Sequence, residues 1–114
     1  MEDLLKIKNK RIISIVHNYS EKSLKINFED NESIIFNGCV LTIDTGIIGH
    51  IISYVSNTGT LGMAFELKRM NQDPDDFNFV ILSRDIKDLE QKNELLISYK
   101  QMEWGDMAVF QIWG

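Results

Sequence analysis

The chain has 114 residues, with twelve basic side chains against seventeen acidic ones and a formal net charge of −5. A length of this order is that of one domain, 1–114, with roughly 65% of the unfolded surface buried on folding, so its core needs no metal or disulfide staple. The acidic balance disfavours non-specific attraction to nucleic acid or anionic lipid and favours a basic partner surface. The lone Cys39 rules out an internal disulfide, and its neighbours Gly38, Val40 and Leu41 read as core rather than as a site that activates a thiolate.

No stretch reaches the roughly 18 uninterrupted apolar residues of a membrane span. The opening MEDLLKIKNKR has acid before base and no hydrophobic signal core. A soluble, cytoplasmic protein without membrane contact is the expectation.

Residues 1–10 place Leu4, Leu5 and Ile7 among alternating charges, which suits either a first strand or a short helical turn. Residues 11–19 alternate with period two, and both faces are partly apolar, so this strand is expected in the interior of a sheet. Ser20-Glu21-Lys22 is a polar connection of hairpin length. Residues 23–29 then alternate cleanly, with Leu24, Ile26 and Phe28 inward. Asp30-Asn31-Glu32 is the next turn, where Asp and Asn hydrogen-bond the local backbone and tolerate left-handed geometry.

Residues 33–55 form the most apolar stretch and are expected to supply the central strands, with a bulge at Asn37-Gly38 where the alternation slips by one. Residues 47–56 fit one side of a helix as well as a strand. Their isoleucines and valine favour the strand. Residues 60–70 form the one expected helix, with Leu61, Ala64, Phe65 and Met70 on its inner face, Lys68 and Arg69 at its end, and a stop before Asp73-Pro74. Residues 77–83, 94–100 and 107–113 return to strand character, and the charged run 84–93 reads as an exposed connection.

The expected fold is therefore mainly β (α+β): an antiparallel sheet or partly open barrel of about six or seven strands with one α-helix near residues 60–70. Its core is expected to hold Ile15, Leu24, Ile26, Phe28, Phe36, Leu41, Ile43, Ile51, Phe65, Phe79, Ile81, Leu95, Ile97 and Val109.

The triplet Asp44-Thr45-Gly46, preceded by Val40-Leu41-Thr42-Ile43, resembles the active-site loop of aspartic proteases of the retroviral type. The resemblance implies a homodimer in which two such aspartates, one from each subunit, share a proton and activate a water molecule, with Asp44 in the catalytic role. Ile47 stands where that family carries a small residue, and Glu103-Trp104-Gly105 where it carries an aliphatic pair before glycine. The same triplet at a strand end suits a tight turn, with Asp and Thr bonding the backbone and Gly supplying positive φ. The turn is the reading taken.

His17 and His50 each lie in an apolar run without a partner at metal-ligand spacing, so no metal site is expected. Asp73-Pro74-Asp75-Asp76 lacks the glycine and closing glutamate of a calcium-binding loop. No phosphate-binding glycine motif or nucleotide fingerprint is present, and no cofactor is expected. By elimination, the chain reads as a non-catalytic binding module, such as an inhibitor or immunity-like protein covering a basic partner. Its candidate surface is Asp73, Asp75 and Asp76 with Asp85, Asp88 and Glu90, and Trp104 and Trp113 are its apolar anchors. The alternative is a small-ligand pocket between sheet and helix, with His50 and Tyr54 as polar groups.

Overall fold

The computed structural model describes residues 2–84 and 93–106. The chain is mainly β, with eight strands among the described residues where about six or seven were expected: β1 (Ile12–Asn18), β2 (Ser23–Phe28), β3 (Glu32–Asn37), β4 (Leu41–Asp44), β5 (Tyr54–Ser56), β6 (Asn78–Ser83), β7 (Glu94–Tyr99) and β8 (Gln101–Asp106). They form two antiparallel four-stranded sheets rather than one sheet or a barrel, in the orders β1-β2-β3-β8 and β4-β7-β6-β5. A short helix α1 (Glu2–Leu5) precedes them, and α2 (Leu61–Arg69) and a 3₁₀ turn (Pro74–Asp76) lie between β5 and β6.

The alternation of β2 produces the inner face of the first sheet, where Leu24, Ile26 and Phe28 are fully buried beside Ile34 and Phe36 of β3. Val80, Leu82, Leu95, Ile97 and Tyr99 of the second sheet join the same cluster, and Leu4, Ile7, Ile12, Ile47 and Ile52 complete it. Phe36 meets Tyr99 edge-on across the two sheets at 4.9 Å between ring centroids. The turn at Asp30 follows the sequence expectation: Asn31 takes φ +66°, and Asp30 Oδ1 accepts from the Glu32 N–H.

The slip at Asn37-Gly38 is not a bulge within one strand but the point where the chain changes sheets. Gly38 has φ +66°, which an L side chain rarely adopts, and a Cβ there would lie 2.9 Å from the Lys100 side chain. Directly opposite, β7 passes into β8 at Lys100, so that β3–β4 and β8–β7 make one two-stranded ribbon bent across both sheets. At the other end the sheets are tied by the Arg11↔Ile51 bridge and by the Ile12 N–H donating to the His50 carbonyl.

Other expectations change for physical reasons. Among the described residues β1 is an edge strand, not an interior one, and β4 and β5 are the edges of the second sheet. Residues 47–53 are not a strand but a turn built on Gly46 and Gly49 at positive φ, with Ile47 and Ile52 buried and Ile51 exposed; only Tyr54–Ser56 pairs with β6. Helix α2 begins one residue later than expected, with Thr60 as its cap, where Thr60 Oγ1 accepts from the Met63 N–H, and the chain leaves it at Asn71 in left-handed conformation. Its buried residues are Met63 and Leu67, while Leu61 and Phe65 stand 79% and 61% exposed. The second sheet packs on the core with one face, α2 touches it at β4, and the outward residues of β6 and β7 are themselves partly buried, so these two strands read as continuous apolar runs. Phe79 and Ile81, expected in the core, therefore stand half-buried opposite Ser98 and Leu96 while Val80 and Leu82 face inward. Ile15 and Leu41 are only partly buried, Ile43 is exposed, and Val109 lies outside the described residues. No helix among the described residues is long and apolar enough to cross a membrane.

Candidate functional site

A cleft of about 430 Å³ opens where three segments distant in sequence converge: the end of the β1–β2 hairpin, the crossing 39–42 between the sheets, and the C-terminal end of α2. Each segment is held by local chemistry. Lys22 takes φ +53° in the hairpin connection, and its carbonyl accepts from the Cys39 N–H at 2.7 Å, which fastens the hairpin to the crossing. The Leu41 N–H donates to Ser98 Oγ at 3.1 Å, fixing the start of β4 on β7. Asn71 turns the chain at the helix end, and the Gln72 N–H returns to the Leu67 carbonyl, which leaves Met70 and Gln72 on the cleft wall.

The lining is mixed. Val40, Leu41 and Met70 supply apolar surface, and Thr42, Asn18, Ser23 and Gln72 supply hydrogen-bonding groups. His17 near the end of β1 and Tyr19 just past it stack with ring centroids 5.3 Å apart and planes within 9°. Cys39 is half-buried with its Sγ 3.1 Å from Thr42 Oγ1. Burial pushes the thiol pKa up, and the hydrogen bond to Thr42 only partly opposes it, so the neutral thiol is the resting form.

A second, more open depression of about 400 Å³ is lined by Lys6, Glu32, Trp104 and Gly105. Trp104 packs against the core, and its indole N–H is buried without a hydrogen-bond acceptor among the described residues.

The residues singled out in the sequence are placed apart from the main cleft. Asp44 Oδ1 accepts from the N–H groups of Gly46 at 2.8 Å and Ile47 at 3.1 Å, the geometry of the tight turn, and Thr45 Oγ1 accepts from the Glu94 N–H. Asp73, Asp75 and Asp76 are exposed on the 3₁₀ turn, with Asp73 capping it by accepting from the Asp75 N–H. Trp104 lies half-buried on β8, where it lines the second depression. His50 is half-buried with its backbone committed to Ile12 and Ile47, and Tyr54 is exposed on β5; neither lines the cleft. Asp85, Asp88, Glu90 and Trp113 lie outside the described residues.

What the sequence reading passed over is the group His17, Cys39, Thr42, Met70 and Gln72. The pairing Ser23↔Asn37 carries the signal: once residues 23–37 form a hairpin, Lys22 must sit beside Gly38 and Cys39. Among the described residues no three His, Cys, Asp or Glu side chains are grouped to hold a metal ion. No family model, curated protein or solved structure matches the chain.

Proposed function

We propose that the protein is a non-catalytic binding domain whose ligand is a small molecule with a planar, largely apolar body, seated in the cleft between the β1–β2 hairpin, residues 39–42 and the end of α2. The observation that carries this reading is the cleft itself: about 430 Å³ is within the range of small-ligand sites, and apolar surface with a few convergent polar groups is their usual lining. The stacked His17 and Tyr19 rings offer a flat face, and Thr42, Asn18 and Gln72 offer donors and acceptors around it. Native mass spectrometry of protein from its natural source is the test. A bound small molecule that is lost in Val40→Trp, which fills the cleft, supports the proposal; a ligand-free protein, or one whose ligand survives that substitution, contradicts it.

A second reading, cover of a basic partner protein, is favoured by the exposed carboxylates of Asp73, Asp75 and Asp76 on one turn in a chain of net charge −5. Charge reversal at Asp75 and Asp76 abolishes partner capture at low salt if that turn is the contact surface. Capture that survives reversal removes the reading.

A further inference from the structure

We infer that the ligand of the cleft carries one negative charge: it is a planar aromatic acid whose carboxylate meets the Lys22 ammonium. The inference rests on the reading of the cleft as a ligand site and adds the chemical class of what fills it. Among the described residues that line the cleft, Lys22 is the one with a formal charge, in a chain where acidic side chains outnumber basic ones by seventeen to twelve. No carboxylate is paired with it among the described residues, whereas Lys10 is shared by Asp30 and Glu32 and Arg69 is held by Glu66.

Lys22 is also an unexpected residue for its backbone. Its φ of +53° is left-handed, and the other described non-glycine residues at positive φ are Asn9, Asn31 and Asn71, a residue type that adopts this geometry at low cost. The exception falls on the cleft wall. Its carbonyl accepts from the Cys39 N–H, so hairpin and crossing together hold the strained position and fix the root of the ammonium chain beside the cleft.

The hydrogen-bonding groups are sorted in the same sense. Asn18 Oδ1 accepts from Ser20 Oγ at 2.8 Å and from the Glu21 N–H at 3.3 Å, so what Asn18 has left for a ligand is its Nδ2 donor. At the end of α2 the carbonyls of Glu66, Leu67 and Lys68 accept from the N–H groups of Met70, Gln72 and Asn71, so these acceptors are not turned bare toward an anion. The helix dipole and the net charge of −5 still oppose negative charge, which limits the ligand to a single one. One ammonium and one amide donor suit a carboxylate. A phosphate is better held by a nest of backbone N–H groups, and no glycine lines the cleft among the described residues.

The test is calorimetric titration of the 114-residue chain with 2-naphthoate and with 2-naphthamide, which share a ring system and differ in charge. The acid is expected to bind about fivefold more tightly, the scale of one partly exposed ion pair. Lys22→Asn suits the left-handed backbone while removing the charge, so the fold is kept; it is expected to bring the acid down to the affinity of the amide and to leave the amide unchanged. Lys22→Arg is expected to retain the preference. Equal binding of the two probes, or a preference that survives Lys22→Asn, overturns the inference while the cleft reading stands, provided that Val40→Trp abolishes both. Binding of neither probe counts against the cleft itself and takes the inference with it.

Discussion

The Lys100 N–H donates to the Asn37 carbonyl at 2.8 Å, at the place where both strands of the long ribbon leave one sheet for the other. Gly38 makes this contact possible. It supplies φ +66° and leaves room for the Lys100 side chain, so Gly38→Ala meets both backbone strain and a clash. The expected loss is about 2 kcal/mol, a fall in Tm of roughly 8 °C for a domain of this size. Gly62→Ala is the counterpart. It lies in the first turn of α2 with only an ordinary contact to Thr60, and it is expected to stabilise by roughly 0.5 kcal/mol. Thermal unfolding of the two variants in parallel checks the assignment.

Asp44 closes its turn through one carboxylate oxygen that accepts two backbone N–H groups, beside the buried Ile47. Asp44→Asn keeps an acceptor there and is expected to unfold within about 0.5 kcal/mol of wild type, whereas Asp44→Ala loses about 1 kcal/mol or somewhat more. Denaturant titration measures both. Peptide cleavage by the wild type that disappears in Asp44→Asn would place the residue in the catalytic role that the resemblance implies.

Lys10 donates to Asp30 and lies 2.8 Å from Glu32. Partial burial works against its ammonium, but hydrogen bonds and charge from both carboxylates raise its pKa above 10.5. The hydrogen bond from Lys10 holds Asp30 below 3.8, against a smaller opposing effect of burial. The depressed Asp30 contributes stability that is present above the ordinary carboxylate value and lost as pH falls through the folded one. The raised Lys10 contributes stability that is complete below 10.5 and lost as pH rises through its folded value. Urea unfolding of wild type and Lys10→Met should therefore differ by a constant amount at neutral pH, roughly 1 kcal/mol or less for so exposed a set of carboxylates, and converge at both extremes. A difference independent of pH contradicts this account.

How much of this was legible in the sequence depended on whether a strand has one dry face or two. β2 announces itself because the polar Lys25 and Asn27 alternate with its apolar residues, and the turn at Asp30 follows from residue chemistry alone. The run Phe79-Val80-Ile81-Leu82 offers no such phase, because its outward residues Phe79 and Ile81 are apolar and half-buried too, and the inward face was assigned to the wrong residues. The slip at Gly38 was visible, but a bulge and a change of sheet shift the alternation equally. The cleft was hidden for a further reason: its walls come from residues 17–23, 39–42 and 70–72, which only the completed topology brings together.

Cys39 reports on that cleft. Burial raises its pKa, so alkylation at neutral pH is expected to run several-fold slower than for a free thiol. Thr42→Val removes the hydrogen bond that opposes the shift and is expected to slow the reaction further. Reaction faster than a free thiol would show an activated thiolate instead.

The most direct measurement of the binding account is a backbone amide chemical-shift titration with a panel of planar aromatic fragments. Perturbations are expected to gather at residues 17–23, 39–42 and 70–72 and to vanish in Val40→Trp, while amides at Asp75 and Asp76 stay fixed. The opposite pattern, no saturable shifts around the cleft and a clear response of Asp75 and Asp76 to a basic peptide, contradicts the account and places binding on the acidic turn.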